Sequence, residues 1–196
     1  MNTPAAPAQT VRLFAAVPVP DSIKQSLSIG CEDIKPQLPF RKWAHPADYH
    51  ITLQFLGDTP IELVPAISAA LREAASSVLA FSLHVTSLGV FGRPIRPSVL
   101  WADVAGDVEQ LHKLQQNVVR VLKPLGLMPE SRSYHPHLTL ARNYAGESSF
   151  EPSQLMGWKL PSGSPLQWQA DAITLYQSHL QRRPMYEAVS VAPLLL

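Results

Sequence analysis

Along much of the chain apolar and polar residues alternate with a period of two, and in three stretches the apolar residues instead recur every three to four positions. The first pattern is that of a strand with one face in a core, the second that of an amphipathic helix. Val11–Val17 reads as a strand closed by Pro18 and Pro20, followed by a helix capped by Asp21 that runs to about Ile34 and is ended by Pro36. Arg41–Trp43 reads as a short strand and Ile51–Leu56 as a longer one, stopped at Gly57-Asp58. Pro60 then opens an apolar-periodic helix to about Ser77. Ala80–Leu88 and Ser98–Val104 alternate as a strand pair around a Gly/Pro-rich loop. Val108–Lys123 gathers Val108, Leu111, Leu114, Val118, Val121 and Leu122 on one side of a helix, which Pro124 and Gly126 end. His137–Arg142, Leu166–Tyr176 and Met185–Val191 complete the strands. This mixture predicts an α+β fold. Residues 1–10, rich in Ala, Pro, Thr and Asn, are expected to be a disordered extension, and residues 11–196 a single domain of two similar lobes.

One short pattern stands out on these strands. His-x-Thr-Leu occurs as His50-Ile51-Thr52-Leu53 and again, 87 residues on, as His137-Leu138-Thr139-Leu140. On a strand, His and Thr two apart share a face while the flanking Ile and Leu point to the core. Two such pairs brought together make a symmetric acid–base site that calls for no metal and no cofactor. The three-residue core of the pattern is weak by itself. With seven His and seven Thr in the chain, about 0.25 occurrences arise by chance, yet there are three, because His84-Val85-Thr86 also fits. That third copy, followed by Ser87, reads as a solvent-facing pair on a strand whose Phe81, Leu83 and Val85 face the core. Around the other two the flanks are richer: Tyr49 precedes His50, Tyr134-His135-Pro136 precedes His137, and Arg142 follows five residues beyond.

Composition narrows the class. A chain of 196 residues suffices for one sizeable core. A net charge of +1 gives no broad basic field for gripping long nucleic acid, although one or two placed arginines are enough for a terminal phosphate. Cys31 is the only cysteine, so neither an intrachain disulfide nor a Cys-rich zinc site can form; a reducing cytoplasm and a buried, inert thiol are expected. No signal-peptide pattern opens the sequence, and no apolar run reaches the ~20 residues a membrane helix needs, so no membrane partner is expected. Nineteen prolines, about twice ordinary usage, mark the ends of many short elements. His45, His112, His135 and His179 lie singly, without H-x-x-x-H spacing or clustered carboxylates, and read as surface residues and not metal ligands. Nothing demands an assembly, and a monomer is expected.

The longer strings resemble a known family. VRLFAAVPVP from Val11, the Trp43–Gly57 string W-x-x-P-x-x-Y-H-I-T-L-Q-F-L-G, the section Leu88–Val104 and YHPHLTLAR from Tyr134 to Arg142 are similar to the two-histidine (2H) phosphoesterases. Within that superfamily the likeness is to the LigT-like RNA 2′,3′-cyclic phosphodiesterases of the 2′-5′ RNA ligase family, and it covers about residues 11–190. The resemblance implies a bilobal fold in which two antiparallel sheets face a central cleft, one motif strand per lobe, with helices outside. It implies His50 and His137 as general acid and base, with His137 activating water and His50 protonating the leaving oxygen. Thr52, Thr139 and Arg142 would hold the phosphate. The implied substrate is RNA with a 2′,3′-cyclic phosphate end, or a cyclic nucleotide, opened to a 2′-phosphomonoester, with reversible 2′-5′ RNA ligation as an accompanying activity. Histidine suits both proton-transfer roles because its ordinary pKa of about 6.5 lets both forms coexist near neutrality. Phe14, Trp43 and Tyr134 are candidates to stack on a terminal base, and Arg132 is a further candidate RNA contact. Two alternatives stay open at this point: a binding module of the same fold without catalysis, and a metallohydrolase built on some of the seven histidines.

Overall fold

In the computed structural model, which describes residues 9–158, 160 and 167–196, the strand-patterned segments join one antiparallel sheet. Twelve principal elements follow one another along the described chain: β1 (Thr10–Pro18), α1 (Asp21–Ile34), β2 (Phe40–Trp43), β3 (His50–Pro60), α2 (Val64–Ala75), β4 (Phe81–Arg93), β5 (Arg96–Gly106), α3 (Val108–Leu122), β6 (His137–Tyr144), β7 (Gln167–Ala170), β8 (Ala172–Ser178) and β9 (Tyr186–Pro193). The strand order is β7-β4-β5-β6-β3-β1-β8-β9, with β2 also on β6.

The two motif strands are neighbours in this sheet, joined by a single pair, Ile51 with Leu138. Beyond it β2 takes over that edge of β6, pairing Trp43 with Ala141 and Phe40 with Tyr144. The strands therefore fall into two groups that meet at one point, and not into two separate sheets. The groups also do not follow chain order. β1, β3, β8 and β9 form one, and β2, β4, β5, β6 and β7 the other, so each draws on both ends of the chain.

Helix burial follows the apolar periodicity. On α3, Leu111, Leu114, Val118, Val121 and Leu122 are buried, as their spacing predicts. α2 packs on α3 and on β8 and β9, while α3 packs on β3. All of these contribute to one hydrophobic core.

Several expected boundaries move. Residues 1–8 lie outside the described residues, but Thr10 already pairs with Pro60, so the sheet starts within the anticipated extension. Asp21 is the first residue of α1 and makes no capping hydrogen bond. Gly57-Asp58 does not stop β3; Gly57 takes φ 71 at an irregularity where Leu56 is skipped, and pairing resumes to Pro60. Pro60 ends that strand, and a 3-10 turn (Ile61–Leu63) separates it from α2, where Pro65 sits in the first turn. The Gly/Pro-rich loop is mostly strand, since β4 and β5 pair out to Arg93 and Arg96. Of the expected strand Leu166–Tyr176, Leu166 lies outside the described residues and the rest divides at Asp171 into β7 and β8.

The Ile51–Leu138 contact is the point where a packing defect should be felt most. Both side chains are fully buried. Ile51→Ala is expected to lower the unfolding free energy by about 2–5 kcal/mol, measured as a reduced urea midpoint.

Candidate active site

β3 and β6 present their motifs by the same local device. Along each strand His and Thr are half-buried on one face, while Ile51 and Leu53, or Leu138 and Leu140, are buried on the other. Because Ile51 and Leu138 pair directly, antiparallel geometry sets His50 towards Thr139 and Thr52 towards His137. Three residues past each histidine the alternation breaks. Leu53 is skipped between the pairs Thr52–Ala16 and Gln54–Ala15, and Leu140 between Thr139–Trp101 and Ala141–Leu100. Each is a β-bulge, and the extra residue returns the fifth residue after the histidine to the histidine's own face. That residue is Arg142 on β6 and Phe55 on β3, and both are exposed.

The imidazoles are held alike. His50 Nδ1 lies 2.7 Å from the Asp48 carbonyl oxygen, and His137 Nδ1 2.7 Å from that of His135. A carbonyl only accepts, so each Nδ1 carries a proton and each Nε2 is left for chemistry. His50 Nε2 lies 3.1 Å from Thr52 Oγ1, whose hydroxyl donates to the neutral ring.

Aromatic rings wall both sites. Around His50 the ring centroids of Phe14, Tyr186 and Tyr176 stand at 4.7, 5.1 and 6.1 Å. Around His137 those of Phe91 and Trp101 stand at 4.9 and 6.2 Å. Burial among them disfavours the charged ring, and the positive charges of His137, Arg142 and Lys24 add to it, so the His50 pKa is lowered to about 4 against the pull of the Asp48 carbonyl. His137 is lowered too, by burial first and then by His135 and Arg142.

Asp48 couples this site to the far end of the chain. Its buried carboxylate accepts from the Met185 N–H at 3.0 Å and from the Tyr186 N–H at 3.1 Å, at the start of β9, while its own carbonyl holds His50. Nothing in the sequence around Asp48 singles it out. Tyr176, Tyr186, Phe91 and Trp101 escape notice for the same reason, since only sheet register brings them to the histidines.

The base-stacking candidates fare differently from the motif residues. Phe14 is 1% exposed and forms the floor beneath His50 instead of an open stacking face. The Trp43 ring packs on the core edge-on to Phe40, with Lys35 Nζ 5.6 Å from its centroid. Tyr134 turns away to His112 on α3, and its hydroxyl is buried without a hydrogen-bond partner. Arg132 is exposed and paired with Glu130. His135 is exposed, as expected of a surface residue, but it is not isolated: its ring packs against Phe91 and Trp101 beside His137. His84 lies on β4, with Phe81, Leu83 and Val85 buried opposite, in keeping with its reading as a bystander. Cys31 is buried in α1, where desolvation pushes its thiol up to about 11. Among the described residues no three of His, Cys, Asp and Glu gather as a metal-ligand set, and no helix is long and apolar enough to cross a membrane.

The family model of the 2′-5′ RNA ligase superfamily matches residues 19–182, and the chain belongs to that family. It is 34% identical over 176 residues to the RNA 2′,3′-cyclic phosphodiesterase of Bacillus subtilis, covering 90% of this chain and 92% of that one. To the protein of the same name from Geobacillus stearothermophilus it is 36% identical over 182 residues; this spans 93% of the chain but only 57% of the relative's length. Among solved structures, a Thermus thermophilus protein of 26% identity superposes with a TM-score of 0.69, covering 93% of this chain and 97% of that one. E. coli LigT complexed with 3′-AMP shares the fold at 22% identity, with a TM-score of 0.77 and coverage of 95% and 99%. The resemblance carried by the long motif strings is thus borne out.

A depressed histidine pKa has a consequence for stability. Unfolded, His50 takes up a proton near pH 6.5; folded, it resists until about pH 4. Stability is therefore expected to fall as pH drops from 6.5 towards 4, because the unfolded chain binds more protons in that window. In His50→Gln the fall should be shallower, read as the urea midpoint against pH.

Proposed function

We propose that the chain hydrolyses 2′,3′-cyclic phosphate ends of RNA, or the corresponding cyclic nucleotides, to 2′-phosphomonoesters by paired-histidine acid–base catalysis. The observation that carries this reading is the pair of imidazoles, each with its proton pinned at Nδ1, on one face of two strands joined between them. In-line displacement at phosphorus needs a base on one side and an acid on the other. Nε2 of His137 takes the proton of water as the water oxygen bonds to phosphorus. Nε2 of His50 delivers a proton to the ribose 3′-oxygen as its bond to phosphorus breaks. This division of roles follows the family resemblance. Thr52 and Thr139 donate to the non-bridging oxygens, and the Arg142 fork neutralises the charge that builds there. With the 5′-hydroxyl of a second RNA end in place of water, the same displacement of the 3′-oxygen leaves phosphorus bonded to the 2′- and 5′-oxygens, which is 2′-5′ ligation.

The lowered pKa of both free rings fits this chemistry. An empty site keeps both neutral, which readies the base, and an arriving anionic phosphodiester favours the imidazolium that the acid requires. One chain carries both histidines, so turnover needs no second copy. A reduced, buried Cys31 suits a cytoplasmic setting.

The relatives' shared name, RNA 2′,3′-cyclic phosphodiesterase, supports the substrate class. His50→Ala and His137→Ala are each expected to slow hydrolysis of a 2′,3′-cyclic mononucleotide by about 10²–10⁴-fold, the usual worth of a positioned acid or base. Arg142→Gln should cost about 10²–10³-fold in kcat, while His84→Ala leaves turnover unchanged. Wild-type activity should persist in EDTA. If both alanine variants at His50 and His137 turn over normally, the mechanism is wrong.

The pH dependence is signed. kcat/KM reports the free enzyme, whose acid has a pKa below 6.5, so it should decline as pH rises past that value. The alkaline limb of kcat should lie at higher pH, because bound phosphate stabilises the imidazolium. Initial rates from pH 4.5 to 9 check both limbs.

A further inference from the structure

The paired imidazoles account for one phosphate, yet a second group of cations stands beside them unused. The turn between β8 and β9 carries Arg182 and Arg183, and with His179, Pro184, Tyr186 and Glu187 it lines an open cavity of about 550 Å3. Glu187 is committed twice, to Arg182 Nη1 at 2.9 Å and to His179 Nε2 at 2.8 Å, which fixes two of the three basic side chains in the wall. Arg183 makes no ion pair among the described residues. In a chain of net charge +1 this is a local concentration and not part of a general basic surface.

The cavity is built onto the catalytic site. Tyr186 belongs to both, lining the cavity while its ring stands edge-on to His50 at 5.1 Å. The backbone N–H groups of Met185 and Tyr186 are held by the Asp48 carboxylate, and the Asp48 carbonyl holds His50 Nδ1. The arginine turn and the imidazole therefore keep a fixed separation.

Chemistry limits what such a cavity can read. In RNA ending in a 2′,3′-cyclic phosphate, the nearest other anion is the phosphodiester on the 5′ side of the same nucleotide. A free cyclic mononucleotide lacks it. We infer that the cavity of Arg182 and Arg183 binds this 5′-side phosphate, so that the enzyme selects RNA ends over free cyclic mononucleotides. The inference rests on the cyclic phosphodiesterase reading above. Arg183 supplies the uncommitted fork, suited to two phosphate oxygens. The contact is solvent-exposed, so salt weakens it.

Three substrates with the same terminal base test this at low ionic strength: a 2′,3′-cyclic mononucleotide, its 5′-phosphorylated form, and a dinucleotide ending in the same cyclic nucleotide. In the wild type kcat/KM is expected to be about tenfold higher for the two that carry a 5′-side phosphate, the size of one charge-assisted hydrogen bond. In Arg183→Gln the preference should shrink to about twofold or less through KM, with mononucleotide turnover unchanged, and in the wild type it should fade at high salt. Equal kcat/KM for all three wild-type substrates overturns the inference. So does an Arg183→Gln variant that slows all three alike, or a preference confined to the 5′-phosphorylated mononucleotide. Absence of hydrolysis of all three substrates by the wild type instead removes the activity on which the subsite rests, and the subsite with it.

Discussion

The one pair between Ile51 and Leu138 is the constraint on which the rest depends. Two groups of strands, each with its own pairing network, are joined strand to strand through this pair, with a Leu79–Leu195 bridge closing their far ends, and β2 then fills the edge of β6 that β3 leaves. Burying both apolar side chains turns the flanking His and Thr of each strand to the opposite face. A slip of one residue would bury the imidazoles and expose the leucines. Core packing and the geometry of the candidate site are thus one requirement, met by the same two residues.

Symmetry then carries through much of the local structure and breaks most plainly five residues past the histidine. Both strands bulge three residues past the histidine, both histidines are held by the carbonyl two residues upstream, and both stand among aromatic rings. At the fifth residue the strands differ: a guanidinium at Arg142, a phenyl ring at Phe55. One half of the site therefore offers fixed charge and the other an apolar surface. A substrate that is a phosphate at one end and a nucleobase at the other meets two different walls.

What was legible in the sequence follows from how far each signal reaches. Helix α1 and helix α3 lie where local periodicity and proline placed them, and the motif residues share the face their spacing implied. Arg142 stands near the motif in sequence, but five residues is the wrong parity for a regular strand, and only the bulge at Leu140 reconciles it. Long-range facts were not legible. Asp48 looks like any loop aspartate until Met185 and Tyr186 arrive, and Phe14 looks like a stacking ring until β8 and β9 cover it. The two lobes read as consecutive halves because local patterns repeat, whereas sheet pairing draws β8 and β9 back to β1.

The Asp48 carboxylate bears on the order in which the protein is made. A ribosome that has released both His-x-Thr-Leu motifs has not yet released the N–H groups of Met185 and Tyr186 that hold Asp48. Nor has it released the strand whose tyrosine walls His50. The nascent chain thus carries both motifs some forty positions before it can hold Asp48, and through it His50, in place. The support of His50 is completed only when β9 has formed.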